Sequence, residues 1–104
     1  MQKYSLPNLT EIDEIQCRYN ILNGLYTFEF IWCDFFFLLD IYTENFSEKS
    51  YLVKGIPLVT NINLIRNTNL KDRLVIENIY RKKLEPSKEN LHTDFELVWY
   101  KSDD

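Results

Sequence analysis

Between Arg18 and Trp32 the chain reads RYNILNGLYTFEFIW, an Asn-Gly pair set between two runs of alternating apolar and polar residues. Asn and Gly both tolerate positive φ, which the tight turns matched to twisted strands require, so Asn23-Gly24 predicts a β-hairpin. With Leu22 opposite Leu25, the expected register sets Ile21 against Tyr26, Tyr19 against Phe28 and Cys17 against Phe30 on one face. On the other face Asn20 opposes Thr27, and Arg18 opposes Glu29 as a cross-strand ion pair. One face is left to bury and the other to meet water.

The next stretch, CDFFFLLDIY over residues 33–42, is too short for a membrane helix, which needs about twenty apolar residues, and Asp34 and Asp40 interrupt it. Apolar side chains fill nearly every position from Phe35 to Leu39 instead of recurring every third or fourth, which rules out an amphipathic helix. A third strand remains. Taking Cys33-Asp34 as a two-residue loop pairs Trp32 with Phe35, Phe30 with Phe37, Phe28 with Leu39 and Tyr26 with Ile41, prolonging the same aromatic inside. Cys-Asp suits a type I′ turn poorly, which leaves room for a longer loop. The opposite face, Phe36, Leu38 and Asp40 against Ile31, Glu29 and Thr27, is half apolar. It is either covered by a second layer or left to a partner.

Downstream, TENFSEKS is a polar connection and YLVKGIPLV a fourth strand, in which Gly55 and Pro57 mark a bulge or an edge position. NINLIRN continues as a short strand or turn, and LVIENIY (74–80) as a strand. RKKLEPSKENLHTD is a polar excursion with at most one short helical turn near residues 86–91. FELVWY closes the chain, and because Trp99 and Tyr100 point to opposite faces, one of them is available to a partner. Residues 1–15 are expected to be a partly irregular N-terminal segment and 101–104 an acidic tail. The sum is one all-β domain over 1–104: a small antiparallel β-sandwich or barrel of six to seven strands built from consecutive hairpins. Composition agrees, since alanine is absent while Ile, Asn, Tyr and Phe abound, a bias toward sheets over helices.

A net charge of −4 and a pI near 5.0 argue against a protein that coats phosphate backbones. The two cysteines, without a cationic hydrophobic leader, point to a reducing cytoplasm and not to a disulfide framework. Cys17 is expected inside and Cys33 in a turn, too far apart to bridge. His92 is the single histidine, which excludes sites built from several imidazoles, and it falls in the ENLHTD turn as a loop residue. Asp34 and Asp40 could form a carboxylate pair for acid and base work, but one is expected in a loop and the other facing outward near Thr27. With only Gly24 and Gly55, phosphate-gripping glycine loops are absent. No catalytic, cofactor-binding or metal-binding residue, no cofactor, and no direct nucleic-acid or membrane partner is expected. A small β-barrel binding module for a ligand or another protein, and a small hydrolase using Asp34, Asp40 or Cys33, are the alternatives. Arg81, Lys82 and Lys83, with Lys88, stand against Glu11, Asp13, Glu14 and the Ser102-Asp103-Asp104 tail. That is either a solvated loop or an asymmetry by which a basic end docks an acidic neighbour, or by which identical subunits meet in a ring.

NGLYTFEFIW, FFLLDIYTENFSEKSYLVKGIPLVTNINLIRN and EPSKENLHTDFELVWY together resemble the small baseplate plug proteins of contractile-tailed phages, the family described for a cyanophage baseplate. The family shows an aromatic strand ending in Trp, an aromatic strand ending in Leu-Asp-Ile-Tyr, a Gly-x-Pro-Leu-Val strand, and a Pro-Ser/Thr-x-x-Asn-Leu turn before the last strand. The resemblance runs from about Leu6 to Tyr100. The Cys33-Asp34 loop looks shorter than the family's glycine-containing turn, His92 stands where glycine is usual, and Arg81–Lys83 departs from the family pattern. The resemblance implies a non-enzymatic structural subunit of the virion, made in the host cytoplasm and placed at the tail axis. It also implies contacts to baseplate hub, spike or tail-tube proteins, homo-oligomerisation in the assembled tail, and a part in closing the channel. The matched motifs are framework positions and carry over no binding residue.

Overall fold

A computed structural model describing residues 1–102 has seven strands in two antiparallel sheets and one short helix. Asp103 and Asp104, the end of the expected acidic tail, lie outside the described residues. Strands β2 (Glu14–Ile21), β3 (Gly24–Trp32), β4 (Phe37–Asn45) and β5 (Glu48–Pro57) form a meander in that order. Strands β1 (Gln2–Ser5), β7 (Phe95–Tyr100) and β6 (Arg73–Asn78) form the second sheet, with β7 in the middle. The two sheets stack as a sandwich and do not close, so of the two expected architectures the barrel gives way.

The first hairpin turns on Leu22 and Asn23, at φ 56° and 63°, and Gly24 is already the first residue of β3. Every pair is therefore displaced by two residues from the expected register: Tyr19 faces Tyr26, Cys17 faces Phe28 and Ile15 faces Phe30. A left-handed leucine costs roughly 1–2 kcal/mol. Leu22 is 8% exposed and joins the core, and burial of its side chain, about 1.5–3 kcal/mol, offsets that strain. A two-residue slip preserves which face each side chain occupies, so the inside is as expected. The ion pair is not: Arg18 faces Thr27 and reaches Glu44 at 3.8 Å, while Glu29 accepts a hydrogen bond from Gln16 Nε2 at 2.6 Å.

The second turn is longer than two residues and also shifts its pairing by two, setting Trp32 against Phe37, Phe30 against Leu39 and Phe28 against Ile41. Cys33 N donates to Phe36 O at 2.8 Å and Asp34 sits at φ 67°. Phe35 and Phe36 thus leave the strand for the loop.

The inner faces meet in one cluster, with Phe28, Phe30, Phe37, Leu39 and Ile41 against Leu74, Ile76, Phe95, Leu97 and Trp99. Edge-on ring pairs tie it together, Tyr19 to Phe28 at 5.0 Å and Trp32 to Phe37 at 4.8 Å. Trp99 faces this core, whereas Tyr100 lies on the outer face of its sheet, its hydroxyl donating to Glu77 and its ring under Arg73. Those long side chains flank Val75 and Val98, which are buried on that outer face.

Elsewhere the structure settles the details. Gln2–Ser5 is a strand, paired with β7, within the otherwise irregular first thirteen residues. NINLIRN, expected as a short strand or turn, forms turns. The short helix α1 is Leu91–Asp94, just after the 86–91 stretch, because Asn90 Oδ1 accepts from Ser87 N and holds the preceding residues as a turn. The fourth strand begins three residues early, at Glu48, and ends at Pro57.

Candidate functional site

Asp40, expected at the surface, is 8% exposed. The register between β4 and β5 shifts on both sides of Ile41, a bulge that lets Gly55 adopt φ 63° and donate its N–H to Asp40 Oδ1 at 2.6 Å. The carboxylate is thus the internal partner of a distorted edge, as bulges require some acceptor for the displaced backbone. Asp34 is exposed in the β3–β4 loop, so the structure does not bring the two carboxylates into a common site. Cys17 and Cys33 are both free thiols, and burial raises the Cys17 pKa, which disfavours a reactive thiolate. His92 lies on α1 with Nδ1 buried and unpartnered among the described residues, beside a shallow hollow of about 250 Å³ that Lys3, Ser5 and Glu96 also line. Among the described residues no group of three or more His, Cys, Asp or Glu is placed to hold a metal ion. Among the described residues no helix is long and apolar enough to cross a membrane.

What the fold does prepare is its edges and its ends. Tyr4 on β1 donates to Asn20 O on β2 at 2.9 Å, and Tyr19 on β2 donates to Ser5 O on β1 at 2.8 Å, the two rings meeting edge-on at 5.7 Å. Burial raises the pKa of both phenols, Tyr19 strongly, so both remain donors. The β6 edge is covered by the preceding loop, with Asn61 N donating to Ile76 O, Leu64 N to Leu74 O and Leu74 N to Asn63 Oδ1. The β5 edge instead carries the bulge, Lys49, Lys54 and Pro57, the features that discourage a foreign strand from pairing. Edge-to-edge association is thereby discouraged at β5 and β6.

The ends are different. Phe46, at the β4–β5 tip, is 97% exposed at φ 60°, a conformation that strains a bulky side chain. Phe35, at the opposite end of the meander, is 90% exposed on a hydrogen-bonded turn. At the Phe35 end, hydrogen bonds from Trp32 N to Asp13 O and from Leu58 N to Phe37 O, with an ion pair between Lys88 and Asp13 at 2.6 Å, tie the N-terminal segment, β4 and the β6–α1 connection together. Lys88 therefore neutralises Asp13 within the chain instead of standing apart from it. The same end displays Ile79, Tyr80, Arg81, Lys82, Lys83, Leu84 and Glu85, seven consecutive exposed residues between buried Asn78 and Pro86. The sequence singled out the three cations; that the loop is braced was not visible in it.

The fold is thus an all-β sandwich whose β5 and β6 edges are guarded and whose turns expose Phe35 and Phe46. The family comparison is specific: residues 1–102 match the family model described as the cyanophage baseplate Pam3 plug gp18, and the chain belongs to that family. No match was found among curated proteins or among solved structures.

Proposed function

We propose that this chain is a structural component of a phage or prophage contractile-tail baseplate, a plug subunit at the tail axis that contacts hub, spike or tail-tube proteins. The observation that carries the reading is the family match over residues 1–102. The structure adds physical support: an element held between neighbours along an axis needs a rigid body and contact features at two ends, and Phe35 and Phe46 stand at opposite ends of the four-stranded sheet. Aromatic side chains fixed on tight turns make effective anchors, because little conformational freedom is lost when they dock. In this reading the chain is made in the host cytoplasm, assembles with further copies around the axis, resides in the virion and performs no catalysis. Immunogold labelling of isolated tails carrying an epitope-tagged chain tests it. Label confined to the baseplate end is the expected result, and tails without label would refute the assignment.

A further inference from the structure

The Ile79–Glu85 loop combines three properties seldom found together in a solvated connection. First, it is apolar as well as cationic: Ile79, Tyr80 and Leu84 are 44%, 60% and 47% exposed around Arg81, Lys82 and Lys83. Second, none of those three cations has a carboxylate ion-pair partner among the described residues, whereas Lys3, Arg18 and Lys88 do. In a chain with net charge −4, three adjacent unpaired cations form a local field of the opposite sign.

Third, the loop is held in one shape. Asn78, 7% exposed, accepts from Tyr80 N at 2.9 Å and Lys82 N at 3.3 Å through Oδ1, and from Arg81 N at 3.1 Å through its carbonyl. Arg81 is thereby kept at φ 58°. At the far side Thr60 Oγ1 donates to Leu84 O at 2.8 Å, and Thr60 N donates to Glu85 Oε2 at 2.9 Å. A buried asparagine and a threonine from another connection are spent on ordering side chains that touch little of their own protein. Such preorganisation has its effect on binding, where it removes the ordering entropy from association.

We infer that this loop is a docking surface for an acidic protein surface with an apolar recess, carried by a neighbouring tail protein. The inference rests on the baseplate reading and identifies the face through which the chain meets its neighbour. Charge complementarity selects the partner: the cations steer and orient it, and Tyr80 and Leu84 bury against it. A second copy meeting head to tail is the poorer occupant, because the opposite end is of mixed charge and not acidic: Glu44 pairs with Arg18, Glu48 adjoins Lys49, Asp72 accepts from Trp99 and Ser102, and Lys71, Arg73 and Lys101 gather around Tyr100.

Full-length chain is immobilised and binding is measured against the purified hub, spike and tube proteins of the same tail, at low and high salt. The wild type is compared with R81E/K82E/K83E, with Y80S/L84S, and with the opposite-end control L25S, at a residue 56% exposed beside the β2–β3 turn, each checked for unchanged melting temperature. The expected result is tight binding to one of these proteins that weakens with salt, falls at least roughly tenfold in both loop variants, and is unaltered in L25S. Binding that survives both loop variants would overturn the docking surface while leaving the baseplate reading intact. Wild-type binding to none of the three would overturn both. Loss of self-association, or of DNA binding, as the effect of the charge reversal would reassign the loop to a second copy or to nucleic acid, and would equally overturn the inference.

Discussion

Tyr4 and Tyr19 reach across to each other's strands, the Tyr4 hydroxyl shared between Asn20 O at 2.9 Å and its neighbour Gln2 Oε1 at 2.6 Å, and Tyr19 donating to Ser5 O at 2.8 Å. The clasp closes one side of the sandwich and attaches β1, whose backbone pairs with β7. Removing one hydroxyl leaves its carbonyl to water, so Y4F and Y19F should each cost about 0.5–1.5 kcal/mol in urea unfolding. The rings touch at 5.7 Å, so the double variant should depart from additivity, which a double-mutant cycle reads directly.

The Asp40–Gly55 bond holds the bulge at the exposed edge. Replacing Asp40 with alanine strands the Gly55 N–H and should destabilise by about 1–3 kcal/mol. Gly55→Ala meets no atom within 4 Å, so its effect is the left-handed strain alone, roughly 1 kcal/mol. Chemical denaturation of both variants distinguishes the two contributions.

Acid stability should carry a signature from Asp72. Hydrogen bonds from Trp99 Nε1 at 2.8 Å and Ser102 N at 3.0 Å lower its pKa. A folded value below the unfolded one stabilises the fold above the ordinary carboxyl pKa of about 3.9, and the contribution disappears as pH falls through the depressed value. Below about pH 4, then, D72N should lose less stability per pH unit than the wild type. Urea midpoints followed by circular dichroism provide the check.

Two neighbouring phenylalanines should behave oppositely. Phe37 is fully buried, and F37A should cost about 3–5 kcal/mol. Phe35 is 90% exposed, and F35A should change stability by less than about 0.5 kcal/mol. If Phe35 is an anchor, its loss should appear in partner binding and not in the melting curve.

How much of this could be read from the chain depends on what kind of signal each feature leaves. Alternation has a period of two, so it assigned Tyr19, Phe28, Phe30, Phe37, Leu39 and Ile41 to a common interior even though both registers were off by two. Nothing in alternation distinguishes registers two apart; the choice rested on turn chemistry, which favours Asn23-Gly24, and the burial of Leu22 overrode it. Gly55 and Pro57 announced an edge bulge because both have strong backbone consequences. Asp40 gave no warning, since the acceptor a bulge needs is supplied by tertiary pairing. Strand β1 was hidden for a related reason: QKYS is short and polar, and its partner lies at the other end of the chain. The cations of Arg81–Lys83 were plain in the sequence, but their bracing by Asn78 and Thr60 is a contact between distant segments and becomes visible only in the fold.

In the proposed reading the sandwich meets its baseplate neighbours through its ends and not through its sheet edges. A cryo-electron microscopy map of the intact tail tests it most directly. The predicted result is density at the tail axis that fits both sheets as drawn, with Phe35 and the Ile79–Glu85 loop against one neighbour and Phe46 against another. Absence of the chain from the baseplate, or its attachment by a strand added to β5, would contradict it.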